Sequence, residues 1–261
     1  MEGGRSAEYI DTMLLRLPRP AALLPTLASQ CAVCLSWPAR RVCAPCVARF
    51  GQALARCSTC ALALPADLSG GRGSPSLQCA TCLRQPPPLE ACFAAMPYAY
   101  PWSDLVARYK FGGDPAWAAV FASLLLQVPG VRTALERLQA EDWLVPLPLS
   151  AQRLQSRGFN QAWELAKALA QQSGSAAQVD ARLLLRIRDT PPQAQLKREA
   201  RLRNVKGAFV VDPLRVQPLQ GRRVLLVDDV MTSGASLFAA AQALRDAGAT
   251  HVTALVFART E

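Results

Sequence analysis

Histidine is nearly absent from this chain, lysine is scarce, and no apolar run is long. The single histidine is His251, so a histidine-based catalytic dyad has no second member. The most apolar stretch, residues 116–126, falls far short of the ~20 residues of a membrane-spanning helix. Glu2, Arg5, Glu8, Asp11, Arg16 and Arg19 interrupt the basic-then-apolar order of a secretory signal, so the expected compartment is the cytoplasm. Charged residues are only 18% and apolar residues 51% of the 261, which excludes a mainly disordered chain and provides a core for one large domain, or a domain plus a small module. Positive charge dominates: 29 Lys+Arg against 19 Asp+Glu give +10, which favours polyanionic partners such as nucleic acid or phosphorylated metabolites. Only 4 of the 29 basic residues are lysine, and with abundant alanine this reads as compositional bias, so the choice of arginine by itself carries no functional weight.

Cysteine is what the chain has in excess. Eight of its nine cysteines form four C-x-x-C pairs: Cys31/Cys34, Cys43/Cys46, Cys57/Cys60 and Cys79/Cys82. Each such turn aims two thiolates at one point, and two turns close a tetrahedron around Zn²⁺, so four pairs predict two saturated, structural Cys₄ zinc sites. Four disulfides are the alternative, and it conflicts with a remainder that reads as a cytosolic α/β domain. Sequential and interleaved pairing of the four turns both fit the spacing. The segment has few large apolar residues, so metal would supply its folding energy. Cys92 stands alone beside Phe93 and reads as a buried strand residue. The run Gln85-Pro86-Pro87-Pro88 ends the module. The expected organisation is an N-terminal extension over 1–30, for which a helix is one option, a double zinc ribbon over 31–85, and an α/β domain over 92–261.

The most informative segment begins at Arg223. Val224 to Val227 is a continuous apolar run, as in a strand buried on both faces of a parallel sheet. It leads into Asp228 and Asp229, then Thr232, Ser233, Gly234, Ala235 and Ser236, and a helix from Leu237 to Ala247 stopped by Gly248. Ligands of open parallel sheets sit beyond the C-terminal strand ends. A small Gly-containing loop opening a helix offers N–H groups and a positive dipole end to a phosphate. Adjacent carboxylates do not bind phosphate, but they accept hydrogen bonds from paired ribose hydroxyls. Together these features describe a ribose 5-phosphate, and the string resembles the phosphoribosyl-pyrophosphate (PRPP) motif of type I phosphoribosyltransferases.

A second apolar run, Trp143 to Leu149, precedes Arg153, Arg157, Gly158, Asn160 and Gln161. Asn160 is placed to cap a helix starting at Gln161, and Arg157 with Gly158 makes that helix start a candidate pyrophosphate site. Lys110, in Tyr109-Lys110-Phe111-Gly112-Gly113, either points into the site or belongs to a helix stop. Residues 182–206 are rich in arginine, including Arg188 and Arg201, and read as a lid over a polyphosphate or a patch tracking a nucleic-acid backbone. The expected strands lie near 93–99, 143–147, 181–187, 223–228 and 250–257.

The order of these motifs is similar to that of the ComF family of competence-associated proteins, over about residues 31–259. The strings carrying the resemblance are the four C-x-x-C pairs, Tyr109 to Gly113, Val145-Pro-Leu-Pro148, Arg157-Gly-Phe-Asn-Gln161, Arg188-x-Thr190-x-x-Gln193, Arg201-x-x-Asn204 and Val227-Asp-Asp-Val230-x-Thr-Ser-Gly234. The resemblance implies a type I phosphoribosyltransferase-like α/β fold behind a double zinc ribbon, PRPP with Mg²⁺ as ligands, and a role with single-stranded DNA and competence proteins during DNA uptake. Lys110, Arg188, Gln193, Arg201 and Asn204 join the expected substrate-binding residues on this basis. No residue is an evident general base. A non-enzymatic nucleic-acid-binding or scaffold factor, with the pocket as relic or sensor, is the alternative reading.

Overall fold

The structure, a computed structural model, describes residues 29–65, 77–188 and 207–261. Its centre is a five-stranded sheet in the order β1-β7-β6-β2-β3, parallel throughout. The strands are β1 (Ala91–Pro97), β2 (Trp143–Pro146), β3 (Gln178–Val179), β6 (Arg223–Met231) and β7 (His251–Arg259). The central strands are apolar because both of their faces are covered. In register, Val224 lies between Trp143 of β2 and Val252 of β7. A separate antiparallel ribbon joins β4 (Leu184–Arg186) to β5 (Phe209–Val211).

The helices are α1 (Ala44–Phe50), α2 (Ala80–Arg84), α3 (Trp102–Phe111), α4 (Trp117–Leu125), α5 (Val131–Glu136), α6 (Ala151–Arg157), α7 (Gln161–Ser173), α8 (Val216–Leu219) and α9 (Ala235–Asp246). One face of the sheet packs Val224, Leu226 and Ala254 against Leu237, Ala241 and Leu244 of α9 and against the ribbon. The other packs Leu225, Val227 and Phe257 against α3, α4 and α7, with the rings of Phe121 and Phe257 stacked at 3.8 Å. The apolar stretch at 116–126 is therefore α4 and its cap, a core helix. No helix among the described residues is long and apolar enough to cross a membrane.

Three expectations about elements are corrected. The strand expected over 181–187 is not in the parallel sheet. Only Gln178–Val179 pairs with β2, and Leu184–Arg186 turns into the ribbon. Arg182, Arg186 and Arg188 leave that segment with too little apolar surface for a strand covered on both faces; Arg186 instead lies over the Phe209 ring at 5.4 Å. The strand expected to end at 228 runs on to Met231, so the two aspartates lie within it. Helix α9 begins at Ala235, two residues before the expected start. Cys92 is a buried residue of β1, as its lone position predicts.

The cysteine-rich segment does not stand apart from the sheet. Cys31 and Cys46 join the core on the α4 face, while Cys57, Cys60, Cys79 and Cys82 join the core on the α9 face.

Candidate functional site

The two cysteine groups settle the pairing that spacing left open: the turns pair sequentially, as Cys31/34/43/46 and Cys57/60/79/82. Both groups repeat one plan. The first turn of each carries a residue in the left-handed region just after its second cysteine, Leu35 at φ 64° and Ala61 at φ 55°. The second turn of each opens a short helix, with Cys43 and Cys79 as N-caps of α1 and α2. The sulfurs of each group lie within 4.8 Å of one another, and three of the edges measure 3.9 Å (Cys31–Cys46), 3.6 Å (Cys34–Cys43) and 3.8 Å (Cys60–Cys79). A tetrahedron with Zn–S bonds near 2.3 Å has edges of about 3.8 Å. The donors therefore fit a tetrahedral thiophilic ion.

The proton affinities point the same way. Burial raises Cys31, but the N–H groups of Cys34, Cys43 and Val33 outweigh it and bring the thiol down to about 6. Cys57 falls to about 7, with burial again opposed by the N–H groups of Cys79, Cys60 and Thr59. Burial and neighbouring sulfurs push Cys46 up to about 12. Hydrogen bonding to Ser36 also lowers Cys34, so each group contains thiols that give up a proton readily beside others that a cation would have to deprotonate. Two such groups could each hold a metal ion.

The second site lies at the C-terminal ends of the strands. Lys110, near the end of α3, places Nζ 3.0 Å from Oδ1 of buried Asp229. Asp228 is only partly buried, and its carboxylate accepts from the Asp229 N–H at 2.8 Å. Adjacent strand residues point to opposite faces, so the two acids have different surroundings. Burial, then the charge of Asp229, raises the Asp228 carboxyl to about 7, while Lys110 and Arg157 oppose the rise.

After Met231 the chain turns through Thr232 and Ser233 into Gly234, at φ 80°. The positive φ favours glycine, and a Cβ there would stand 2.5 Å from Met231 Cε and 2.6 Å from a Phe238 ring carbon, so those side chains would have to shift to admit one. Gly234, the N-cap of α9, has no side chain to offer, and among the described residues the side-chain bond to the first N–H groups is a long one, Ser233 Oγ accepting from the Ala235 N–H at 3.4 Å. Thr232, Ser233 and Ser236 flank this start in the chain. The N-terminus of α7 differs: Asn160 Oδ1 accepts from Ala162 N at 2.9 Å and Trp163 N at 3.3 Å, so those donors are already used.

What remains for an anion near α7 is the side chain of Arg157. Its Nη1 donates to Gln161 Oε1 at 2.8 Å, and its guanidinium lies 5.3 Å from the exposed Phe111 ring. Burial lowers its proton affinity and the Asp229 charge raises it. Gly158 ends α6 at φ 77° and lets the chain reverse into Asn160. Buried Tyr109 ties α3 to this turn by donating to the Gln161 carbonyl at 2.6 Å. Lys110, Arg157 and the two aspartates are thus electrostatic neighbours. Arg188 is exposed just beyond the ribbon strand β4. Gln193, Arg201 and Asn204, with most of the expected lid, lie outside the described residues. His251 sits at the opposite, N-terminal end of β7, with Nε2 3.8 Å from Glu90.

One residue escaped the sequence reading. Arg259, the last residue of β7, is 5% exposed and donates to the carbonyls of Cys60, Met231 and Thr232. Its signal was an arginine closing an otherwise apolar strand on the rim where Asp228 and Asp229 end theirs.

With this geometry in view, residues 163–261 match the phosphoribosyl transferase domain family. Across 219 residues, 84% of this chain and 90% of the relative, the chain is 35% identical to DNA utilization protein YhgH of Salmonella typhi. It is 34% identical over 210 residues to DNA utilization protein YhgH of Escherichia coli (strain K12), covering 78% of this chain and 90% of that one. It is 29% identical over 181 residues to Competence protein F of Haemophilus influenzae, covering 69% and 78%. The chain belongs to the ComF family, with a phosphoribosyl transferase domain built on a parallel sheet and preceded by paired four-cysteine groups.

Proposed function

We propose that this protein binds PRPP at the C-terminal rim of its sheet and serves in the uptake and handling of DNA, with zinc in both cysteine groups as structural ions. The observation that carries the PRPP reading is the end of β6, where a partly exposed carboxylate is followed within six residues by a helix start that a glycine opens. Thr232 to Ser236 hold the 5′-phosphate through N–H groups and hydroxyls. Asp228 accepts from the ribose hydroxyls, and Asp229 holds Lys110 against the rim. Arg157, fixed by Gln161, faces the pyrophosphate; Mg²⁺ would neutralise pyrophosphate oxygens there. As the bond at the ribose C1 lengthens, negative charge grows on the pyrophosphate, and preoriented Arg157 and Lys110 stabilise it.

The DNA part of the reading rests on relatives named for DNA utilization and competence, and on a surface beside the first cysteine group. Exposed Tyr100 meets Phe50 edge to face at 5.7 Å, and the Arg49 guanidinium lies 5.2 Å from the Phe50 ring. Aromatic faces interleaved with arginine suit single-stranded bases and phosphates.

The test is calorimetric titration of the wild type and of Asp228→Asn with PRPP and Mg²⁺. Binding in the wild type, lost in the variant, is the expected result. Heat that is unchanged in Asp228→Asn, or absent from the wild type at millimolar PRPP, overturns the pocket.

A further inference from the structure

We propose that Arg259 is a positioning residue that couples the second cysteine group, Cys57/60/79/82, to the phosphate loop. The inference rests on the phosphate reading of that loop and adds a dependence on the metal site.

Arg259 is buried, yet none of the ion pairs among the described residues includes it. A buried guanidinium needs compensating charge as well as hydrogen-bond acceptors. Its acceptors are four main-chain carbonyls: Nε donates to Cys60 O at 3.0 Å, and Nη1 donates to Met231 O at 3.2 Å, to Thr232 O and to Thr260 O. The charge that fits is the metal centre itself, because four thiolates around a divalent ion carry a net charge of about −2. The arginine therefore has an anionic cluster on one side and the loop on the other.

The bonds to the loop fix its direction. In a trans peptide the C=O and the following N–H point oppositely. Holding the carbonyls of Met231 and Thr232 toward Arg259 turns the N–H groups of Thr232 and Ser233 away from it, to the side open to ligand. The Met231 carbonyl also accepts from the Thr260 N–H at 3.1 Å, so loss of Arg259 would free chiefly the Thr232–Ser233 peptide and the Ser233 N–H it aims.

Further contacts stiffen the same connection. The Cys92 N–H donates to Ser58 O at 2.9 Å, and Cys92 Sγ lies 3.8 Å from Met231 Sδ. Glu261 accepts from Arg56 Nη1 and from the Ala63 N–H, both at 2.9 Å, clamping the first turn of this cysteine group to the end of β7. The first group provides an internal control. Its outward bonds go elsewhere, through Arg41 to Asp114 at 2.6 Å and from Trp102 Nε1 to Phe50 O at 2.7 Å.

The experiment is hydrogen exchange with mass spectrometry on the full zinc-loaded chain. The chains compared are the wild type, Arg259→Lys, Cys82→Ser, the double variant Arg259→Lys/Cys82→Ser, and Cys34→Ser. Lysine keeps the charge but, as a single point donor, cannot reach the Cys60 carbonyl and the loop carbonyls together. Amides of residues 232–236 are expected to exchange about tenfold faster in Arg259→Lys with both zinc ions retained, and similarly in Cys82→Ser. The double variant should add nothing to either single change, a non-additivity that a merely structural role would not produce. Cys34→Ser should leave these amides unchanged. Wild-type exchange in Arg259→Lys overturns the proposal, as does an equal effect from Cys34→Ser. If Cys82→Ser fails to fold, Arg259→Lys decides alone. PRPP calorimetry on the same proteins separates the two layers: a wild type that does not bind PRPP removes the phosphate reading, while the exchange data still decide the coupling.

Discussion

Asp228→Asn should make the protein more stable while it loses PRPP. The carboxyl is raised from 3.8 to about 7, first by burial and then by the charge of Asp229. Keeping it ionised at pH 7.5 therefore opposes folding by up to about 4 kcal/mol, at about 1.4 kcal/mol for each tenfold step. Water reaches this side chain at the rim, and we expect about 1–2 kcal/mol to survive that screening. In a chain of this size that corresponds to a rise in Tm of about 3–6 °C. The pH dependence has a definite sign. Between about pH 7 and about pH 4 the native carboxyl holds a proton that the unfolded chain has released, so the wild type gains stability on acidification and Asp228→Asn does not. The gap between the two should thus shrink from pH 7.5 to pH 5.5. Calorimetric unfolding of both zinc-loaded proteins at the two pH values measures it. A lower Tm for Asp228→Asn at pH 7.5, or a gap that does not change with pH, would refute the argument that ionisation at this position is held against its environment.

Gly234→Ala should weaken PRPP binding and destabilise by about 1–3 kcal/mol, because alanine meets both a φ of 80° and the Met231 and Phe238 side chains; denaturant unfolding and calorimetry read the two effects. Cys34→Ser and Cys57→Ser should each reduce bound zinc from two equivalents to one, as measured by elemental analysis; a loss of both ions in either variant would contradict two separate groups. Tyr100→Ala and Arg49→Ala should each weaken binding of an oligothymidine strand, with about 1–3 kcal/mol from stacking for Tyr100 and a shallower salt dependence for Arg49 in fluorescence titrations. Equal affinity in Tyr100→Ala would remove that surface from the DNA reading.

Much of this fold was legible because its strands obey simple rules. The apolar run at Val224–Val227 and the acids after it marked a parallel strand and its functional end. Asn160 marked the start of α7, and it caps that helix through two N–H bonds. The errors have a common source. A strand within the sheet needs apolar cover on both sides, and the arginines at 182, 186 and 188 do not let 181–187 supply it. The cysteine pairing was not legible because spacing constrains which thiols can meet, not which do. It is decided by long-range packing, since Cys31 and Cys46 join the core on one face of the sheet and Cys57, Cys60, Cys79 and Cys82 the core on the other. Arg259 was missed for the same reason. Its partners are carbonyls of Cys60, Met231, Thr232 and Thr260, and carbonyls leave no mark in a sequence.

The pair Asp228 and Asp229 shows how two identical residues acquire different work. Alternation along β6 sends them to opposite faces, and α3 lies on only one of those faces. Asp229 meets Lys110 there and is neutralised at 3.0 Å. Asp228 has no ion pair among the described residues, and it feels both its own burial and its neighbour's charge. A carboxylate in that position gains from any ligand that donates hydrogen bonds and brings a counter-charge nearby. A ribose diol with a metal-bound pyrophosphate supplies both, so ligand binding relieves a local instability of the free protein. The binding of PRPP should then favour the ionised form and release a proton near pH 7. Titrations of the wild type in buffers of different ionisation enthalpy should show that release at pH 7 and its decline by about pH 8.5, where this carboxyl is already ionised in the free protein; a release that does not fall as the pH rises would refute the assignment.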